Sequence, residues 1–126
     1  MLHKDLTEKI LGAFYKVNNT LGYGFLEKVY ENALAYELKK MGYLVQQQPK
    51  ITVYYDGQQI GEYYADLVVE NKIILEIKAA EKLCQEHEAQ LINYLRATKF
   101  EVGLLLNFGK KAEFRRKIFT NDRKRA

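Results

Sequence analysis

The stretch that decides the fold is Tyr64–Ala79, with the sequence YADLVVENKIILEIKA. Two apolar runs flank the polar pair Asn71-Lys72, a pattern typical of two antiparallel strands joined by a turn. In the second run, alternate side chains should face opposite sides of the sheet. One side would take Ile73, Leu75 and Ile77, and the other would take Ile74, Glu76 and Lys78. The sequence therefore predicts a hairpin with two charged side chains on one face of an apolar strand.

Burying these charges requires compensation, because each uncompensated charge costs several kcal/mol. A structural ion pair between Glu76 and Lys78 would compensate them, and so would a divalent metal ion with a nucleic-acid phosphate. Asp66 also interrupts an apolar strand. Two carboxylates in one place suit Mg²⁺, which takes one or two carboxylates plus water and phosphate oxygens. An adjacent lysine could then orient an attacking water or stabilise charge on the phosphate.

The length of the turn decides whether Asp66 and Glu76 lie on the same face. A two-residue turn at Asn71-Lys72 would pair Asp66 with Ile77. Directly paired residues share a face, so Asp66 would then point away from Glu76. A shared metal site therefore requires a three-residue turn or a β-bulge, either of which shifts the register by one residue.

Helices surround this hairpin in the predicted order ααβββ(β)αββ. Apolar periodicity predicts helices over residues 3–20, 26–41 and 82–98. Strands are predicted over residues 43–48, 50–55, 59–70, 73–79, 102–106 and 114–119. Asp56-Gly57 indicates a tight hairpin turn. Because no linker or repeat divides the chain, we expect residues 1–126 to form one α/β (α+β sandwich) domain, a mixed sheet flanked by helices.

Composition limits the kind of protein this can be. Hydrophobic residues make up 48% and charged residues 29% of the chain, which is typical of a globular domain. No apolar run approaches the roughly 18 residues of a membrane span, so no membrane partner is expected. The first residues lack an apolar signal core, which predicts a cytoplasmic location. The single cysteine, Cys84, excludes an internal disulfide and a cysteine zinc cluster.

The positive charge is concentrated near the C-terminus. Residues 110–126 hold eight basic and two acidic side chains, whereas the whole chain has a net charge of +4. Such a segment attracts polyanions, and its end, residues 120–126, is here called the basic tail. A solvated, frayed tail is the alternative interpretation.

Three motifs in order carry a family resemblance. They are Asp66 followed by Glu76-Ile77-Lys78, the helix start Gly24-Phe25-Leu26-Glu27-Lys28-Val29-Tyr30, and Gln90 followed by Tyr94. Together they resemble the PD-(D/E)XK nuclease superfamily, with Ala65 in place of the proline of its name. The second motif is similar to the small GxxExxY family, and the third to the QxxxY element of RecB-type and lambda-exonuclease-like nucleases. The resemblance implies a restriction-endonuclease-like core that uses Mg²⁺ or Mn²⁺.

The resemblance also implies roles for individual residues. Asp66, Glu76 and the Ile77 carbonyl would hold the metal ion, and Lys78 would position the attacking water. Glu27 would assist as a further ligand, directly or through water.

Two pairs of helical residues have both a functional and a structural interpretation. Glu27 and Glu31 share a helix face that continues into Leu34, so they are expected to be partly buried, with Glu31 supporting Glu27. They could instead be two solvated glutamates. Gln90 and Tyr94 would contact substrate phosphate or hold the lysine and water, or else form a plain helix edge with a core tyrosine.

Two functions from different classes follow from the sequence. One is a metal-dependent nuclease acting on nucleic acid, with DNA the favoured substrate. The other is a non-catalytic nucleic-acid-binding or protein-binding module that keeps the fold, and metal dependence separates the two. A homodimer through exposed tyrosines is compatible with either. The 10 tyrosines could stack on unpaired bases, but tyrosine is also a good strand former.

Overall fold

A computed structural model describes residues 1–124, so Arg125 and Ala126 of the basic tail lie outside the described residues. The helices are α1 (Lys4–Leu21), α2 (Glu27–Lys40) and α3 (Gln85–Ala97), with a short 3₁₀ helix at Asn121–Arg123. The strands are β1 (Val45–Gln47), β2 (Lys50–Tyr55), β3 (Gln58–Tyr64), β4 (Leu67–Val69), β5 (Ile73–Lys78), β6 (Val102–Phe108) and β7 (Ala112–Ile118). The predicted order of helices and strands is confirmed, except that the strand predicted over residues 59–70 is two strands, β3 and β4.

A five-stranded mixed sheet, in the order β1-β4-β5-β6-β7, forms the centre of the fold. Only the β5–β6 pair in this sheet is parallel. Helices α1 and α2 cover one face through a core that includes Phe14, Leu34 and Leu75. Helix α3 and strand β2 cover the other face through a core that includes Leu91, Ile74 and Ile51. The predicted mixed sheet flanked by helices is therefore confirmed.

Strand β6 is buried along its whole length, as its continuous apolar run predicts. Leu104 packs into the α1–α2 core and Leu105 into the α3 core. At Gly103, an added Cβ would lie 2.7 Å from a methyl carbon of Leu91. This glycine lets α3 approach β6 closely.

The strand predicted over residues 59–70 is wrong as a single element. It is interrupted at Ala65 and Asp66, and the part before the break pairs with β2 in a separate two-stranded hairpin. The Asp56-Gly57 turn of that hairpin has φ angles of 51° and 74°, as its sequence predicts. The break arises where Ala65 and Asp66 form backbone hydrogen bonds with Pro49 and Gln48. Gln48 N donates to Asp66 O at 2.9 Å, and Ala65 N donates to Pro49 O at 3.2 Å.

The β4–β5 turn has three residues, as a shared carboxylate face requires. Val69 pairs with Ile73, which leaves Glu70, Asn71 and Lys72 in the turn. Glu70 and Asn71 adopt φ angles of 55° and 53°, a strained conformation for residues other than glycine. Two hydrogen bonds to the Leu44 backbone offset the strain, because Glu70 N donates to Leu44 O at 2.8 Å and the Glu70 carboxylate accepts from Leu44 N at 2.6 Å.

Within residues 1–124, no helix is both long enough and apolar enough to span a bilayer.

Candidate active site

Asp66 and Glu76 lie side by side where the β4–β5 ladder ends. The last paired residues are Leu67 and Leu75, and continuing that register by one residue puts Asp66 opposite Glu76. Opposed residues share a face, so Asp66 and Glu76 lie on the same face of the sheet, the arrangement that the sequence left open. The Asp66 Oδ2 accepts a hydrogen bond from Ile77 N at 2.7 Å. The carboxylate thus takes the N–H that a longer ladder would pair with a backbone carbonyl.

The Glu76 carboxyl is poorly compensated. Its Oε1 is inaccessible to solvent and has no hydrogen-bond partner among residues 1–124. Burial, and after it the neighbouring Asp66 carboxylate, together raise the pKa of Glu76 to about 8. Lys78 opposes this shift but does not cancel it. A site that disfavours its own negative charge in this way favours a bound cation.

Lys78 is half-buried two residues further along β5, on the face that also carries Glu76. No carboxylate among residues 1–124 lies within 4 Å of its ammonium nitrogen. The alternative of a structural Glu76–Lys78 ion pair is therefore not what the structure shows. The ammonium group is left available for a phosphate or a water at this face.

Glu31 is buried and tied into a network of amides. Its side chain is only 4% exposed and accepts hydrogen bonds from Gln47 Nε2 and Gln48 Nε2, each at 2.8 Å. The Lys28 ammonium lies 2.9 Å from the same carboxylate. Gln48 Nε2 also donates to Asp66 Oδ1 at 3.2 Å, so one amide links Glu31 to Asp66. Glu31 is therefore linked to Asp66 through Gln48, and its expected burial is confirmed.

Glu27 lies nearer the end of β5 than the centre of the site. The expectation that it is partly buried is wrong, because its side chain is exposed at the first turn of α2. Its Oε2 accepts a weak hydrogen bond from Ala79 N at 3.3 Å, one residue beyond Lys78. The helix begins only at Glu27, so there is no preceding turn to cover this side chain.

Two stacked tyrosines, one on α3 and one on β3, lie beside the carboxylates. The rings of Tyr94 and Tyr63 stack in parallel, with centroids 3.7 Å apart and an interplanar angle of 10°. Burial raises the pKa of both hydroxyls, and the Glu76 carboxylate is the next cause for each. Tyr94 therefore lies near the Glu76 carboxylate. Gln90, one turn earlier, is exposed to solvent.

A family comparison agrees with this geometry. The family model of the PD-(D/E)XK nuclease superfamily matches residues 4–117. The chain belongs to the PD-(D/E)XK nuclease superfamily. The resemblance stated from Asp66, Glu76 and Lys78 is thereby confirmed at the level of the superfamily.

A solved structure shares the fold of this PD-(D/E)XK domain. The crystal structure of SSO0001 superposes with a TM-score of 0.56 at 18% sequence identity, covering 74% of this chain and 50% of that chain. This chain therefore spans about half the length of that relative, and at this identity the likeness concerns the fold alone. No curated protein matches the chain.

The donor set of this PD-(D/E)XK domain fits Mg²⁺ or Mn²⁺ better than a metal that needs many protein ligands. Residues 1–124 contain no group of three His, Cys, Asp or Glu side chains positioned to hold a metal. Two adjacent carboxylates are nevertheless enough for Mg²⁺, which keeps several waters and takes phosphate oxygens from substrate. The unpartnered Glu76 Oε1 is the oxygen that such an ion would satisfy.

Sequence reasoning missed three residues of the site, namely Gln47, Gln48 and Tyr63. The two glutamines lie just before Pro49, where the chain leaves the central sheet, and Gln48 has a φ of 52°. A polar pair at a strand end beside the only proline was the available signal. Tyr63 carried no signal of its own, because it is one of several tyrosines on exposed strands.

Proposed function

We propose that this domain is a divalent-metal-dependent nuclease that hydrolyses phosphodiester bonds in nucleic acid, with DNA as the favoured substrate. The observation that carries the proposal is the juxtaposition of Asp66 and Glu76 on one face, which also carries Lys78, a lysine with no carboxylate within 4 Å among residues 1–124. Superfamily membership supports it, since the family match over residues 4–117 includes all three of these residues. We also propose assignment to the GxxExxY family, on Gly24, Glu27 and Tyr30, and a single domain over residues 1–126.

The chemistry divides among the residues by their charge. A bound Mg²⁺ or Mn²⁺ ion would polarise the phosphodiester and lower the pKa of a water molecule beside it. Asp66, Glu76 and the Ile77 carbonyl would hold that ion. The Lys78 ammonium would orient the attacking water and stabilise the negative charge that develops on the phosphate.

The surrounding residues would position these groups. Hydrogen bonds from Gln48 and Ile77 N aim the Asp66 carboxylate, which leaves it little freedom to rotate. Glu27, exposed beside Ala79, would act through a water molecule. Tyr94 would exclude bulk water from one side, and Gln90 would contact a phosphate of the substrate.

The test is a timed cleavage assay with Lys78→Ala. Plasmid and single-stranded DNA are incubated with the protein and Mg²⁺ or Mn²⁺, and the matched control is Lys82→Ala, an exposed lysine four residues along. Lys78→Ala should lower the rate by a factor on the order of 100 or more, typical of losing one electrostatic contributor in a dry site. Calorimetric titration should show unchanged or tighter Mn²⁺ binding, because a neighbouring positive charge is gone.

The assay also separates the nuclease from the non-catalytic module. Cleavage by Lys78→Ala at the wild-type rate would contradict the proposed role of the lysine. A wild-type protein that neither binds Mn²⁺ nor cuts DNA or RNA would instead support a binding module that keeps the fold. Activity per molecule that rises with protein concentration would support the homodimer that is compatible with either function.

A further inference from the structure

The loop before α2 is held rigidly by a buried tyrosine. The Tyr30 side chain is fully buried, its hydroxyl donates to Gly22 O at 2.6 Å, and it accepts from Phe25 N at 3.2 Å. Its ring stacks on Phe108 with centroids 4.6 Å apart. Gly24, inside the loop, has a φ of 111°, which disfavours a side chain there. Gly24 and Tyr30, two residues of the GxxExxY pattern, thus give this loop a single defined conformation.

The same loop exposes large apolar side chains instead of burying them. Tyr23 is 59% exposed, Phe25 47% and Leu26 82%. A flexible loop could fold such side chains away, but here the backbone hydrogen bonds to Tyr30 keep the loop in place. Contiguous apolar groups kept on the surface mark a site that binds something.

These side chains line a groove that begins next to the proposed catalytic lysine. The groove has a volume of about 550 Å³, and its lining includes Tyr23, Phe25, Leu26, Ala79, Phe108 and Lys110. We call it the aromatic groove. Ala79 directly follows Lys78, and its N–H donates to Glu27, so α2 and the end of β5 are joined at the mouth of the groove. The distance from the groove to Lys78 is therefore set by the fold.

Aromatic side chains favour a base inside the groove, and the charges of Lys110 and Glu81 that line it balance each other. The Lys110 ammonium lies 5.4 Å from the centre of the Tyr23 ring, within the range of a cation–π contact. Glu81 also lines the groove and would repel a phosphate oxygen there. An aromatic side chain with a nearby cation is a usual platform for an unpaired base.

We propose that the aromatic groove binds an unstacked base of the nucleotide next to the phosphate held at Lys78. The proposal rests on the proposed nuclease function and names its substrate class, a nucleic acid that is single-stranded or opened at the cleaved position. A base inside an intact duplex has both faces covered and could not stack on Tyr23.

The test measures binding in Ca²⁺, which removes any dependence on turnover. Fluorescence anisotropy compares a labelled oligothymidylate, an abasic oligonucleotide of the same length and a blunt duplex. The variants are Tyr23→Ala, Tyr23→Phe and the control Tyr36→Ala, which removes a tyrosine that is 64% exposed on α2. Tyr23→Ala should weaken oligothymidylate binding about tenfold, the usual cost of losing one stacked base. Tyr23→Phe and Tyr36→Ala should bind as the wild type does, and the abasic strand should be insensitive to Tyr23→Ala.

The possible results test base binding in the groove independently of nuclease activity. Equal affinity of the wild type for the abasic strand and for oligothymidylate would overturn the groove proposal, even if the protein cleaves DNA. Base-dependent binding by a protein that cleaves nothing would leave the groove standing and remove the nuclease. A wild-type dimer that Tyr23→Ala converts to a monomer, seen by sedimentation, would assign the groove to a second copy of the chain and overturn the proposal.

Discussion

Replacing Glu76 with glutamine should stabilise the metal-free protein at neutral pH. The folded state raises the pKa of Glu76 from its ordinary value of 4.5 to about 8, first through burial and then through Asp66. Between these two values the folded protein holds a proton that the unfolded chain has released. The free energy of unfolding therefore falls as pH rises through this window. Above the folded pKa, the protein has lost all the stability that ionising the buried Glu76 carboxyl costs.

The change in the free energy of unfolding can be calculated from the pH range between these two pKa values. At pH 7 the distance above the unfolded value of 4.5 is about 2.5 pH units, which corresponds to about 3 kcal/mol at 1.36 kcal/mol per unit. Glutamine has nearly the same shape and no charge, so Glu76→Gln should recover most of this. For a domain of this size the melting temperature should rise by about 10 °C. At pH 5 the free energies of unfolding of the wild type and the variant should differ by less than about 1 kcal/mol, because this pH is close to the pKa of Glu76 in the unfolded chain.

The assay is urea and thermal unfolding in EDTA at pH 5 and pH 7. Glu88→Gln is the opposite control, because a hydrogen bond from Lys117 lowers the pKa of Glu88 and its loss should destabilise the protein at pH 7. Adding Mn²⁺ should raise the melting temperature of the wild type more than that of Glu76→Gln, since the ion stabilises the charge it binds. Equal or lower stability of Glu76→Gln at pH 7 would refute the reasoning that Glu76 is an uncompensated buried carboxyl.

Three further perturbations test neighbouring parts of the site. Asp66→Asn keeps the shape but removes a charge, so Mn²⁺ affinity measured by calorimetry should fall at least tenfold and cleavage with it; unchanged affinity would exclude Asp66 as a ligand. Gln48→Ala removes one of the hydrogen bonds that the Asp66 carboxylate accepts. Mn²⁺ binding should therefore weaken roughly 10- to 100-fold, the usual cost of losing a group that orients a metal ligand. Unchanged Mn²⁺ binding would show that Gln48 has only a structural role. Deleting residues 120–126 should weaken DNA binding and flatten its dependence on salt, because fewer counterions are released. An unchanged salt slope would show that the basic tail does not contact the nucleic acid. The same deletion should lower the melting temperature, because it removes the two hydrogen bonds from Lys124 Nζ to Thr98 O and Phe100 O.

The sequence determined the features that depend on neighbours along the chain. Alternation along Ile73–Lys78 put Glu76 and Lys78 on one face, and the Asp56-Gly57 pair specified its turn. Helix periodicity gave α1, α2 and α3 to within about three residues at each end, and an uninterrupted apolar run gave the buried strand β6. Each of these follows from side-chain spacing or from the backbone preference of one or two residues, which a sequence displays directly.

Only the tertiary structure decided which residues meet at the site. The three-residue turn after β4 depends on Leu44, which is 26 residues from Glu70 in the chain. Glu31, and not Glu27, became the buried carboxylate because Gln47 and Gln48 donate to it. Such hydrogen bonds join residues far apart in sequence, so no local pattern encodes them. They form only when β1 and α2 are brought together by burial of the core, and that packing is what aims Asp66 at Glu76.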